Sequence, residues 1–226
     1  MASDTPAKLD LWKQLKHLYQ PSAKECVLVQ VPEMQFVMVD GQIEPGLMPG
    51  DSPGFAAAIG ALYGASYTLK FMSKKRLENP VDYGVMALEG LWTTPGGGPD
   101  YALSDQWEWT LMIMQPDHII ATMFAEAVEQ LRKKYSKDGK DARLLDSLRL
   151  ERFAEGLCAQ VMHIGPYADE PATLMRMGAF AGQNGYAFAG RHHEIYLGDP
   201  RQGDPAKLKT VLRQPVSDGG PAGPLP

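Results

Sequence analysis

Trp107-Glu108-Trp109-Thr110-Leu111-Met112-Ile113-Met114-Gln115-Pro116 is a run of bulky, β-favouring residues halted by a proline. Its ending returns near the end of the chain as Leu212-Arg213-Gln214-Pro215. Working outward from these two stops, the same order of elements is read before each. In the first half, Phe36-Val37-Met38-Val39 reads as a strand, residues 45–53 as a Gly/Pro-rich loop, 55–71 as a helix and 85–92 as a strand ahead of the run at 107. In the second, 157–164 reads as a strand, Gly165-Pro166-Tyr167 as a turn, 171–180 as a helix, 186–197 as a strand and 208–213 as the last strand. Between the halves, Asp117 is expected to cap a helix running to about Tyr135, followed by a charged linker and an amphipathic stretch at 144–153. The expected class is α+β: two strand-helix-strand-strand modules (about 34–116 and 157–216) forming one antiparallel sheet, with helices on one face and a ligand cleft on the concave other. Residues 1–25 are expected as an N-terminal arm, 26–216 as the domain, and the Gly/Pro-rich 217–226 as a disordered tail.

Composition narrows the function. With 44% hydrophobic residues in 226, the chain can bury a real core. No run reaches the roughly 18 to 20 apolar residues of a membrane span, and the N-terminus has no signal-peptide pattern, so the expected location is the cytoplasm. A formal charge of −5 supplies no basic footprint for phosphate, and the cluster Arg132-Lys133-Lys134 is explained by a helix C-terminus, so direct nucleic-acid binding is not expected. Cys26 and Cys158 read as reduced buried thiols. His163, His192 and His193 lack convincing ligand spacing, so no metal is expected. No cofactor motif and no protein partner are evident either.

Glu194, in Arg191-His192-His193-Glu194-Ile195-Tyr196-Leu197, is the leading site candidate, because a carboxylate within a strand must be solvated, paired or used. An ion pair with Arg191 is the structural alternative. His192 and Tyr196 lie two residues either side and share its strand face. Tyr63, Tyr67 and Phe71 recur every fourth residue as an aromatic stripe. If the halves superpose, Glu89 falls opposite Glu194.

Several strings resemble the GyrI-like small-molecule-binding superfamily: Leu62-Tyr63-Gly64-Ala65-Ser66-Tyr67, Glu89-Gly90-Leu91-Trp92, Trp109 through Pro116, His163-Ile164-Gly165-Pro166-Tyr167, and His192 through Arg201. They are similar to its stand-alone subgroup, which includes hydrolases of cyclopropane-bearing DNA alkylators of the yatakemycin and duocarmycin type. The resemblance implies a flat, hydrophobic polycyclic ligand and detoxification or self-resistance by adding water to the strained ring. Glu194 is expected at the cleft centre, activating water. Tyr67 and Tyr167 are expected beside it as catalytic donors to the developing phenolate. Tyr63, Phe71, Trp92, Trp107, Trp109, His163, His192 and Tyr196 are expected to hold the substrate, the rings by stacking. The alternative is a protein that sequesters such a ligand without chemistry. The loop at 93–104 is longer and richer in glycine than the resemblance leads one to expect.

Overall fold

The computed structural model describes residues 5–93, 107–199 and 204–219. Its strands are β1 (Ala7–Leu9), β2 (Val27–Gln42), β3 (Val81–Tyr83), β4 (Leu88–Thr93), β5 (Glu108–Gln115), β6 (Arg149–Ile164), β7 (Tyr186–Phe188), β8 (His192–Tyr196) and β9 (Lys209–Asp218). Its helices are α1 (Leu11–Gln14), α2 (Lys16–Tyr19), α3 (Pro53–Lys74), α4 (Ala121–Lys137) and α5 (Glu170–Gln183). The class is α+β. The main sheet is antiparallel in the order β6-β2-β5-β4-β8-β9, and β9 pairs back onto β6. Instead of the expected open sheet, six strands close into a barrel, which leaves these strands no free edge.

Two long strands make the closure possible. Both β2 and β6 run for 16 residues, well beyond the apolar runs at 36–39 and 157–164 that announced them. Each is therefore long enough to pair with two neighbours, β2 with β5 and β6, and β6 with β2 and β9. Gly156, at φ +80°, supplies the bend in β6. The stretch expected to be amphipathic at 144–153 is a short turn at Arg143–Ser147 leading into that strand.

Three other boundaries differ from expectation. The strand expected over 186–197 breaks at Gly190 (φ +62°) into β7 and β8. β9 passes through Pro215, and the proline marks a change of partners: up to Pro215 the strand pairs with β6, and from Val216 with β7. Ser217 and Asp218, placed in the tail on sequence, therefore belong to this ladder, while 220–226 lie outside the described residues. Asp117 caps no helix. α4 begins at Ala121 with Ile120 at the cap position, and Asp117 instead pairs with Arg152 at 3.1 Å.

The barrel has two unlike faces. Outward-facing residues of β4 and β5, such as Leu88, Leu111 and Trp109, are buried beneath α3 with Ala61, Leu62, Ala65 and Leu69. The helix starts at Ser52, whose hydroxyl accepts from Phe55 N at 3.0 Å, a cap worth about 1 kcal/mol. α5 covers the other flank, packing Met177, Leu174 and Phe180 on Ala159, Val161 and Leu212. The inward face, expected as a concave ligand cleft, is instead a filled interior. Phe36, Met38 and Met112 pack there beside a buried polar chain. In that chain Tyr19 O–H donates to Glu89 (2.6 Å), His193 touches Glu89 (3.0 Å) and Glu155 (3.0 Å), and Arg213 reaches Glu155 (3.3 Å), Gln160 (3.2 Å) and the Leu18 carbonyl (2.7 Å). A six-stranded barrel is too narrow to keep a ligand cavity once these side chains fill it. The N-terminal arm plugs one end, with Leu18 and Tyr19 fully buried.

Candidate active site

Register decides which side chains meet. Glu194 lies opposite Gly90 on β4 and Leu212 on β9, Tyr196 opposite Leu88, and His192 opposite Trp92. Directly paired residues share a face, and this face is the outer one, so Glu194 stands on the barrel wall with α3 on one flank and α5 on the other. Glu89 points the opposite way, into the barrel, where it is fully buried against Tyr19 and His193. The correspondence of Glu89 with Glu194 read from the sequence is therefore corrected: the residue facing Glu194 is Gly90. A β-carbon there would come within 3.0 Å of Trp92 Nε1 and 3.2 Å of the Tyr196 hydroxyl, so a side chain at this position crowds the Trp92–Tyr196 pair beside Glu194.

Glu194 is held, not loose; its side chain is 16% exposed. Tyr196 donates to the carboxylate while accepting from Trp92 Nε1 at 3.0 Å. Burial, and then the charge of Glu194, raise the Tyr196 phenol well above its ordinary value, which fixes it as a donor. On the other side His192 Nε2 lies 3.4 Å from Glu194 Oε1. The tautomer of His192 follows from its neighbours. Gln214 Nε2 donates to the Ala189 carbonyl at 2.6 Å, which turns Gln214 Oε1 toward His192 Nδ1 at 3.3 Å. Nδ1 must then carry a proton, and Nε2 is the ring atom presented to Glu194. Arg191, the alternative partner, instead reaches Thr110 Oγ1 at 2.7 Å.

Tyr167 packs edge-on to Tyr196 with centroids 6.0 Å apart, and burial with the nearby carboxylates pushes its phenol up to about 12. Tyr63 and Tyr67 stack at 6.3 Å on α3, Tyr67 being half exposed. Trp92 meets Trp107 edge-on at 5.6 Å and Phe55 at 5.5 Å. These rings and Glu194 belong to the same outer side of the barrel. Trp109 lies opposite Trp92 in the β4–β5 ladder, and so on the same face, buried against Phe55 and over Gly41. Two of the expected residues take other surroundings. Phe71, at the far end of the stripe, is exposed beneath the Lys70 ammonium. His163 has both nitrogens engaged: Nε2 donates to the Pro166 carbonyl (3.2 Å), so Nδ1 accepts from Thr173 (2.9 Å), and the ring fastens the turn before α5 to the helix.

One residue that sequence reading passed over lies beside Glu194. Glu170 opens α5 yet is only 2% exposed, and burial, reinforced by the charge of Glu194, pushes its carboxyl up to about 9. The helix N-terminus favours an anion by only ~0.3–1 kcal/mol, while each pK unit is worth ~1.4 kcal/mol, so desolvation wins and Glu170 is a neutral acid at pH 7. In sequence it reads as an ordinary acidic residue of a first helical turn. Among the described residues no group of His, Cys, Asp and Glu forms a metal cluster, and no helix is long and apolar enough to cross a membrane. A separate hollow of about 590 Å³, between the arm at Trp12 and Pro21 and the strand residues Ile164 and Lys209, offers no carboxylate.

Comparison with known proteins identifies the family and the fold. The chain matches the family profile of the GyrI-like small molecule binding domain over residues 24–217. A structure described as an uncharacterized conserved protein from Listeria innocua is 38% identical, with a TM-score of 0.81 over 92% of this chain and 100% of that one. Two structures described as a hydrolase from Listeria innocua are each 37% identical, with TM-scores of 0.77 and 0.79 over 92% and 93% of this chain and 100% of theirs. The EcmrR C-terminal domain, at 12% identity and a TM-score of 0.50, shares the fold. No curated protein matches the chain. A profile match spanning nearly the whole folded region, together with full-length relatives above one-third identity, places the chain in the GyrI-like small-molecule-binding family.

Proposed function

We propose that the protein is a cytoplasmic hydrolase that opens the cyclopropane ring of flat DNA-alkylating natural products of the yatakemycin and duocarmycin type, giving detoxification or self-resistance. The observation that carries the reading is Glu194: a carboxylate fixed by Tyr196 and faced by His192, on the aromatic-lined side of the barrel. Likeness over their full length to two proteins described as hydrolases supports it. The two strand-helix-strand-strand modules are read as a duplication, with the cleft at their seam where β4 meets β8.

In the proposed step Glu194 takes a proton from water as the water oxygen bonds to the ring methylene. The cyclopropane carbon–carbon bond breaks, and its electron pair passes through the dienone to the carbonyl oxygen, which takes up a proton and becomes a phenol. Substrate plus one water equals product. Tyr63, Tyr67 and Trp92 grip the ligand by offset stacking. Running the reaction in ¹⁸O-labelled water tests the chemistry: the new hydroxyl should carry the label, and unlabelled product would exclude direct water attack. The family description names binding, which favours a second reading, sequestration without turnover. In that case bound ligand would be recovered unchanged.

A further inference from the structure

We propose that Glu170 is the proton donor of the cleft, its carboxylic acid O–H hydrogen-bonding a carbonyl oxygen of the ligand and passing the proton to that oxygen as the ring opens. The inference deepens the reading above and rests on it for the ring-opening step. It selects a ligand class as well: molecules that present a conjugated carbonyl, the group on which the broken bond's electrons arrive.

Geometry carries the assignment. Glu170 is 2% exposed, and Oε1 has no hydrogen-bond partner among the described residues although Thr210 bonds the carboxyl. Thr210 lies opposite Tyr196 in the β8–β9 ladder, and Leu212, two residues on and so on the same face, lies opposite Glu194. Glu170 thus reaches the wall one rung from Glu194 with a polar atom unspent. A buried group in this state costs stability unless something fills its valence. A ligand carbonyl would do so, provided Glu170 keeps its proton. The groups around it ensure that. Glu194 on β8 adds negative charge, Tyr196 and Tyr167 are neutral phenols, and His163, on the strand before α5, has both nitrogens engaged elsewhere.

The other candidate donors are poorer. Tyr196 spends its O–H on Glu194, and Tyr167, held up to about 12, is a much weaker acid than Glu170 at about 9. An effective donor has its pKa close to the working pH. The proton balance closes: Glu194 gains one proton from water, Glu170 gives one to the phenolate oxygen, and exchange with solvent returns both groups to their starting states. A buried carboxylic acid one rung from a second carboxyl can divide the roles of acid and base in this way.

The test is binding and turnover of a spirocyclopropyl cyclohexadienone from pH 6 to about 10.5, in the full chain and in Glu170→Gln. Glutamine keeps a donor but has no proton to transfer. Wild-type affinity should fall up to tenfold per pH unit above about 9 as the acid ionises. Glu170→Gln should bind with no alkaline loss and turn over roughly 10²-fold more slowly. Wild-type binding that keeps the alkaline loss, but yields no water adduct, would retain Glu170 as ligand donor and sink the hydrolase reading alone. Unchanged turnover in Glu170→Gln with the same alkaline limb would overturn the assignment. If the variant does not fold, the wild-type protein decides by itself, and affinity flat to pH 10.5 overturns the proposal.

Discussion

Glu194 is placed by its neighbours on the strand, and each neighbour has a separable task. Gly90 leaves room; Gly90→Ala puts a methyl 3.0 Å from Trp92 Nε1 and 3.2 Å from the Tyr196 hydroxyl. Such overpacking costs ~1–3 kcal/mol, so we expect a melting temperature lower by roughly 2–10 °C and weakened ligand quenching of tryptophan fluorescence. An unchanged ligand affinity would show that Gly90 does not floor the site. His192 presents Nε2 to Glu194 because Gln214 has fixed its tautomer. His192→Gln should reduce turnover by about tenfold or more with ligand affinity within a few-fold, since it changes the polar group facing the base and removes no stacking surface. Equal losses in affinity would make His192 a ligand contact. At this scale the sequence is legible where period alone decides: the alternation in His192-His193-Glu194-Ile195-Tyr196 correctly puts His192, Glu194 and Tyr196 on one face. It is silent where partners come from distant strands. Nothing local tells that Glu170 is buried, that Gly90 rather than Glu89 faces Glu194, or that Gln214 orients a histidine.

At the scale of elements, the helices are readable as long runs with no proline beyond the first turn, and the strand at 108–115 as a bulky β-favouring run stopped by Pro116. The long strands are not, because polar residues interrupt each, Gln30, Glu33 and Gln35 in β2 and Arg149, Glu151, Arg152 and Glu155 in β6. Arg149 and Arg152 in β6 meet Asp40 and Glu33 across the ladder, and Glu151 pairs with Arg149 along the strand, so charge pairing stands where apolar alternation was sought. Gly156 bends β6 at φ +80°, a conformation that a side chain enters at a cost of about 1–2 kcal/mol. Its surroundings are open, so Gly156→Ala should destabilise by that amount through backbone strain alone, read as a lower urea midpoint at constant slope. The arm was legible as an amphipathic segment, but not its destination. Tyr19 inserts its hydroxyl onto Glu89 at 2.6 Å inside the barrel. Tyr19→Phe keeps the ring and strands Glu89 Oε1, at an expected loss of ~1–3 kcal/mol in urea unfolding. No loss would mean that the plug holds by packing alone.

For the molecule as a whole, closing the sheet separates a polar interior from the outer wall that carries the candidate site. The interior chain makes stability depend on pH with a definite sign. Burial opposes charge on His193, but Glu155 and Glu89 outweigh it and raise its pKa above 6.5. Its contribution is therefore complete below about pH 6.5 and is lost as pH climbs through the raised value. Glu155 is desolvated too, yet His193 and Arg213 hold it below 4.5, so its contribution is present above about pH 4.5 and disappears as pH falls through the lowered value. Urea midpoints should accordingly be highest between those limits and decline on the alkaline side, and a midpoint constant from pH 6 to 9 would contradict a charged His193. The outer wall is where the chemistry is proposed. Glu194→Gln preserves size and hydrogen bonding there while removing the base. The most direct measurement is mass-spectrometric turnover of a spirocyclopropyl alkylator by the wild-type protein and by this variant, alongside their ligand affinities. We predict a wild-type product heavier by one water, and in Glu194→Gln a rate lower by roughly 10²- to 10⁴-fold at nearly unchanged affinity. A variant that turns over within a few-fold of wild type, or whose affinity collapses instead, would contradict Glu194 as the base.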